Sequence, residues 1–276
     1  MEITVGLFLL IVAAAALCEL LDCSVGMGYG TILSPLLLIV GFEPLAVIPA
    51  VLLSQAFGSL SASIFHHQYN NVDFSWNSRD LRLFFLIGGL GVLAVIFAAI
   101  TSLNVPKLAL KSYIGALVMV MGVVILLRPA FRYSWQRMVG IGILSAFNKG
   151  LSGGGFGPVV TGGLILSGQE HKTAIGVTTL AEAPICISGF LAYVIGKATM
   201  VVNGPVLAAP LASFVETMFM PRVFHWELIL GLTIGSLIST PLGPLITRFT
   251  QRQVMRYVVG GLIALLGAWS LADTWL

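Results

Sequence analysis

Charge is what this chain has least of. Only 9% of its 276 residues are Asp, Glu, Lys or Arg, whereas 58% are hydrophobic and the mean hydropathy is +1.01. A soluble domain carries about 25% charged residues, so the scarcity excludes a soluble protein and places nearly the whole length in lipid. Nucleic acid is excluded as a partner too. The net charge of +3 is spread among loops, with no run of Lys and Arg dense enough to grip phosphates. Cysteine is rare: Cys18, Cys23 and Cys186 lie in apolar stretches without a Cys-x-x-Cys pair. They read as buried free thiols, with a soft-sulfur ligand role as the alternative. Nor does the sequence offer a metal-ligand cluster or a nucleophile–base pair, which argues against an enzyme and implies no cofactor and no metal. The start, Met1-Glu2, lacks the basic stretch of a secretory signal, so Ile3–Leu21 is expected to remain as a membrane segment.

Apolar blocks fill the chain instead. A window of about 20 residues predicts three long spans in each half. They lie near Pro44–Phe65, Leu81–Thr101 and Leu108–Leu127, then near Thr173–Ile195, Leu228–Thr247 and Val254–Leu271. Before each trio comes a pair of segments around a glycine-rich break, Ile3–Leu21 with Thr31–Val40 and Met138–Phe147 with Val159–Ser167. Several of these are short, which suits half-helices or a re-entrant hairpin.

The two breaks match each other. Gly26-Met27-Gly28-Tyr29-Gly30 is followed 127 positions later by Gly153-Gly154-Gly155-Phe156-Gly157. At the same offset Leu37 meets Leu164, Gly41 meets Gly168, Glu43 meets Glu170 and Ile48 meets Ile175. Further on, Gly89 pairs with Gly235 and Gly115 with Gly261 at an offset of 146, so the second half carries 19 extra residues. They fall within Ala198–Phe224, where Gly204-Pro205, Pro210 and Pro221 interrupt the apolar run and a surface helix or lid is expected. The expected fold class is an all-α polytopic membrane protein. It has two repeats, residues 1–130 and 131–276, of about five hydrophobic segments each, with glycine-broken half-helices at the repeat interface. An odd number of segments makes the repeats inverted. That arrangement puts nine of the 14 Lys and Arg residues on the side of Arg128, Arg132 and Arg137. The positive-inside rule then places this side in the cytoplasm and both termini outside.

A helix start in low dielectric presents unpaired N–H groups and about half a positive charge, and glycine lets an anion's oxygens reach that backbone. The breaks therefore suit an anionic substrate, with Gly26, Gly28, Gly30, Gly153, Gly154, Gly155 and Gly157 lining it. Packing of small residues between helices is the competing explanation. Lys149 lies four residues before Gly153 inside an apolar run, where a charge costs about 3 kcal/mol unless paired or hydrated. It either neutralises its repeat-mate Asp22 or supplies charge to the substrate, with Asn148 and Ser152 donating hydrogen bonds. The two roles are compatible if substrate competes with the pair. Ser24, Tyr29, Ser34 and Thr161 are further polar candidates. Glu182, two residues before Pro184, is a second buried charge, and its repeat-mate is Gln55. It reads as a proton carrier in coupling or as a hydrogen-bonded structural carboxyl. His66 and His67 end a span and are expected to be solvated. Gly150-Leu151-Ser152-Gly153 reproduces the Gly-x-Ser-Gly string of rhomboid proteases, but it needs a histidine base within reach, and His171 and His225 look interfacial.

The two glycine blocks, with Pro35 and Pro158 nearby, and the string Asn71-Val72-Asp73-Phe74 resemble the TauE/SafE family of sulfite and organosulfonate permeases. The likeness runs from about Leu9 to Leu271. The first block departs from a glycine run at Met27 and Tyr29, and the second half lacks an Asn-Val-Asp-Trp equivalent. The resemblance implies a secondary transporter in the cell membrane that exports a small sulfur-containing anion, such as sulfite, thiosulfate or sulfoacetate, by alternating access. An anion channel built on the same motifs is the alternative. An anion leaving a cell that is negative inside needs no proton, so the energy source stays open.

Overall fold

The computed structural model of the protein describes residues 3–127, 135–202, 224–247, 249 and 252–276. All regular structure among them is helical. In order the helices are α1 (Val5–Val25), α2 (Tyr29–Val40), α3 (Pro44–Gln68), α4 (Arg79–Leu103), α5 (Lys107–Leu127) and α6 (Trp135–Ser152). They continue as α7 (Phe156–Leu166), α8 (His171–Val202), α9 (Trp226–Ser239), α10 (Gly243–Ile246) and α11 (Arg252–Trp275). Among the described residues seven stretches are long and apolar enough to cross a membrane: Val5–Val25, Pro44–Gln68, Arg79–Leu103, Lys107–Leu127, His171–Met200, Trp226–Ile246 and Tyr257–Trp275. The protein is thus a polytopic, multi-pass membrane protein, as the sequence predicts. The surface helix or lid expected over 198–224 falls mostly outside the described residues, although α8 runs on to Val202.

Both glycine-rich segments are real breaks. Thr4 caps α1 by accepting a hydrogen bond from Leu7 N, and the helix stops at Gly26, whose φ of 81° is left-handed. Gly153 and Gly155, with φ of 76° and 86°, make the corresponding break between α6 and α7. The helices that follow are short, 12 residues for α2 and 11 for α7. Neither spans a bilayer, which needs about 20 residues. α1 continues to Val25 and so carries Asp22 inside the helix, one turn before the break.

Helix pairing echoes the sequence repeat. α1 packs on α9 and α4 on α6; α3 packs on α9 and α4 on α8; α3 meets its counterpart α8, and α5 meets α11. The α5–α11 crossing depends on small residues. A Cβ at Gly122 would stand 2.3 Å from Ala264 N, and one at Gly267 would stand 2.3 Å from Met119 N. Without a hydrophobic drive inside lipid, such close backbone approach supplies the packing energy.

The outside of the bundle is apolar: Leu9, Leu10, Leu17, Leu93, Phe97, Ile195, Leu265 and Trp269 are exposed. Its interior holds Glu19, Asp22, Gln55, His66, Lys149 and Glu182. This inverts the arrangement of a soluble protein and is what lipid requires, since charges there face the bundle interior.

Candidate substrate site

Four of the buried polar groups converge where the two breaks meet. Asp22 sits in the last turn of α1, Lys149 in the last turn of α6, Gln55 in mid-α3 and Glu182 in mid-α8. They are two pairs of repeat-mates. Gln55 Nε2 donates to Glu182 Oε2 at 2.8 Å and to Asp22 Oδ2 at 3.1 Å. Lys149 Nζ donates to Gln55 Oε1 and pairs with Glu182 Oε1 at 3.3 Å. One amide therefore ties both carboxylates to the lysine. Lys149 pairs directly with Glu182 and reaches its repeat-mate Asp22 through the Gln55 amide. None of the four is more than 6% exposed, so the centre is closed to solvent.

The breaks themselves cross backbone to backbone. A Cβ at Gly30 would stand 1.8 Å from Gly153 O, one at Gly154 2.7 Å from Thr31 N, and one at Gly157 2.6 Å from Gly26 O. Side chains stitch the crossing: Gly155 N donates to Thr31 Oγ1 at 3.1 Å, and Thr161 Oγ1 donates to Gly26 O at 3.3 Å. Close packing thus accounts for Gly26, Gly30, Gly154 and Gly157. Gly28, with φ of 143°, opens α2.

The two short helices begin in opposite electrostatic settings. Tyr29 N, the first N–H of α2, donates to Asp22 Oδ1 at 3.3 Å. A carboxylate there complements the positive helix end. Before α7 the residue equivalent to Asp22 is Lys149, a cation whose Nζ turns to Gln55 and Glu182.

The other polar candidates turn elsewhere. Tyr29 OH donates to Ser54 Oγ at 2.8 Å and reaches Leu232 O on α9. Ser24 Oγ donates to Leu21 O on its own helix. Asn148 Oδ1 accepts from Tyr113 OH on α5. Ser152 Oγ donates to Asn148 O at 2.8 Å and accepts from Gly154 N, shaping the second break. Ser34 Oγ is buried, makes no hydrogen bond among the described residues, and lies 2.7 Å from where a Cβ on Gly153 would be. Pro184, within α8, packs its ring 3.5 Å from the Cβ position of Gly88. It removes a backbone donor one half-turn past Glu182, a local weakness in that helix.

Two buried titratable residues escape the sequence reading. Glu19 is 1% exposed on α1, where Cys23 Sγ donates to its Oε1 at 3.0 Å. A carboxylate inside an apolar run is the signal that could have found it. His66 is fully buried, which corrects the expectation that it is solvated; His67 is exposed as expected. The reason is the following loop, which folds back. Asn71 Nδ2 lies 3.1 Å from His66 Nδ1 and donates to Pro244 O on α10 at 2.7 Å, while Asn71 O accepts from Thr173 on α8. Val72 packs on Gly176. At the exposed tip, Ser75 N and Oγ donate to Asp73 Oδ1 and hold that carboxyl below its ordinary range. The three cysteines are free and buried, as predicted.

Comparison with known proteins settles the family. The model of the sulfite exporter TauE/SafE family matches residues 10–270. The chain belongs to that family. It is also similar to the probable membrane transporter protein YtnM of Bacillus subtilis (strain 168), at 25% identity over 273 residues, covering 94% of this chain and 81% of that protein. No solved structure matches it. The TauE/SafE likeness read from the glycine blocks and the Asn-Val-Asp string thus holds over nearly the full length, and the family and relative make the chain a membrane transporter.

Proposed function

We propose that the protein moves a small sulfur-containing oxyanion, sulfite, thiosulfate or a short sulfonate such as sulfoacetate, by alternating access in the cell membrane. The observation that carries this reading is the buried centre of Asp22, Gln55, Lys149 and Glu182 at the crossing of the two breaks. Oxyanion oxygens want a cation and free N–H groups. In this reading Lys149 supplies the cation and the second break the N–H groups, the anion displacing Thr31 Oγ1 from Gly155 N and Ser152 Oγ from Gly154 N, whereas Asp22 already neutralises the start of α2. The second break, from Asn148 to Pro158, therefore holds the anion.

Charge counting adds a condition. With all three groups ionised, Lys149, Asp22 and Glu182 leave one net negative charge in a buried site. A substrate anion deepens that deficit, so it competes with Glu182 for the lysine and enters when a carboxyl takes up a proton. A structural ion pair and a substrate-binding lysine are then two stages of one cycle.

In our reading the two five-segment halves are inverted about the α3–α8 contact, with both termini outside and the loop between α3 and α4 in the cytoplasm. Movement of one half against the other opens the centre to each side in turn. A closed centre supports a carrier over an open anion pore. Flux into proteoliposomes tests this: saturable uptake of labelled sulfite, thiosulfate or sulfoacetate, stimulated by counter-flow, is expected. Fast conductance, linear in concentration, contradicts it.

A further inference from the structure

Anion entry by this route needs a proton to reach a centre sealed from water, and one side of that centre is built with polar groups that the anion does not use. Along α3, Gln55, Ser59, Ser63 and His66 fall on one helical face at spacings of four, four and three. All are buried. They run for about 16 Å at 1.5 Å per residue, from the centre to the loop that Asn71 latches against α10 and α8. Beside this face, Glu19 of α1 and Ser236 of α9 meet over the bare Cα of Gly58. A Cβ there would stand 2.0 Å from Ser236 Oγ and 2.9 Å from the Glu19 carboxyl carbon. Glu19 Oε2, Ser59 Oγ and Ser236 Oγ are buried without a well-formed hydrogen bond among the described residues. Unsatisfied oxygens in a membrane interior are costly and mark a place where something binds.

The other half shows that the fold does not demand this polarity. The repeat-mates of Glu19, Cys23, Gly58 and Ser236 are Ala146, Gly150, Ile185 and Leu90. Ile185 and Ala146 pack there against Gly91, and the three atoms nearest its Cβ position are all their side-chain carbons. The mates of Ser59, Ser63 and His66 are Cys186, Phe190 and Tyr193, and Tyr193 OH is committed to Gly150 O at 2.8 Å and to Ser102. In the first half these positions leave polar oxygens without partners among the described residues, whereas in the second they are apolar, a thiol, or a hydroxyl already hydrogen-bonded.

We propose that Glu19 is a proton-binding station. The Ser59–Ser63–His66 face of α3 connects it to the loop side, and Asp22, one helical turn on, receives the proton. A proton fits this place and a metal cation does not. The unpartnered donors are one carboxylate oxygen and hydroxyls, too few to replace the six to eight oxygen ligands of a hard divalent ion. The titratable groups around Glu19 are Cys18, Asp22 and Cys23 on its own helix, Tyr29 on α2, and Glu182 and Cys186 on α8, with Lys149 of α6 beyond Asp22. α3 contributes His66 beside the Cys23 backbone, and α9 and α10 present no titratable side chain to it. In the step itself the proton leaves Glu19 Oε2, which becomes carboxylate, and adds to the Asp22 carboxylate, so charge is conserved across the pair.

This inference rests on the transport reading only for its role in coupling, and the test separates the two. Infrared difference spectra of the full chain in lipid, stepped through pH, report protonated carboxyls directly and need no substrate. Glu19→Gln is expected to remove one protonated-carboxyl band, and Ser236→Ala to shift that band by removing its hydroxyl neighbour. Bands identical to wild type in both variants overturn the proposal; if Glu19→Gln does not fold, the Ser236→Ala shift decides. In proteoliposomes, Glu19→Gln should lose pH-gradient-driven sulfite accumulation at least about tenfold while keeping sulfite-for-sulfite exchange. Undiminished accumulation in the variant overturns the coupling role. Absence of exchange in the wild type refutes the transport reading, and the infrared bands alone then decide whether Glu19 binds a proton.

Discussion

Gln55 and Glu182, which correspond to each other 127 positions apart in the repeat, are hydrogen-bonded to one another at 2.8 Å. The mid-points of α3 and α8 therefore meet at one spot, and the polar centre is made of residues that correspond in the sequence. Asp22 and Lys149, the second corresponding pair, join it through the two faces of the Gln55 amide.

Glu182→Gln keeps the shape of that centre while removing a charge. If Glu182 exchanges a proton with the substrate cycle, the variant should transport with a flattened pH dependence across the range where the wild type changes. Uptake rates measured at a series of equal internal and external pH values check this. An unchanged profile removes Glu182 from coupling.

The crossing of the breaks predicts sharp steric sensitivity. Gly30→Ala drives a Cβ to 1.8 Å from Gly153 O, and the neighbour is backbone, which cannot step aside. Overpacking of this kind costs about 1–3 kcal/mol or more, so Gly30→Ala and Gly154→Ala should melt well below the wild type in detergent. Gly162→Ala, where a Cβ meets nothing within 4 Å, should melt like the parent.

Asn71 offers a separable prediction because it touches no member of the central cluster. Its amide bonds Pro244 O and lies beside His66. Asn71→Ala removes this hydrogen bond from a buried carbonyl, at a cost of about 1 kcal/mol. Hydrogen exchange of residues 69–78 should accelerate in the variant, with anion binding at the centre retained. Unchanged protection of that loop would show that the latch is not what holds it.

Much of this architecture is legible in the sequence because lipid punishes exceptions. Long apolar blocks give the spans, paired glycines give the breaks, and Lys149 and Glu182 stand out as charges in apolar runs. Gln55 is visible only through the repeat, as the mate of Glu182. Glu19 escapes that route, since its mate is Ala146 and it sits in a segment so apolar that its two carboxylates, Glu19 and Asp22, barely lower its hydropathy. His66 is misleading for another reason: a residue at a span's end looks wet until a distant contact, Asn71 with Pro244, folds the loop over it. The crossing of the two breaks is also not written locally, because close backbone approach and substrate access ask for the same residue, glycine.

Whether the second break holds the anion through Lys149 is decided by equilibrium binding of sulfite, thiosulfate and sulfoacetate to purified protein and to Lys149→Ala. A charge-assisted hydrogen bond contributes about 1.5–3 kcal/mol, so affinity for the preferred anion should fall roughly tenfold to a hundredfold in the variant. A folded Lys149→Ala protein that binds all three anions as tightly as the wild type contradicts the account.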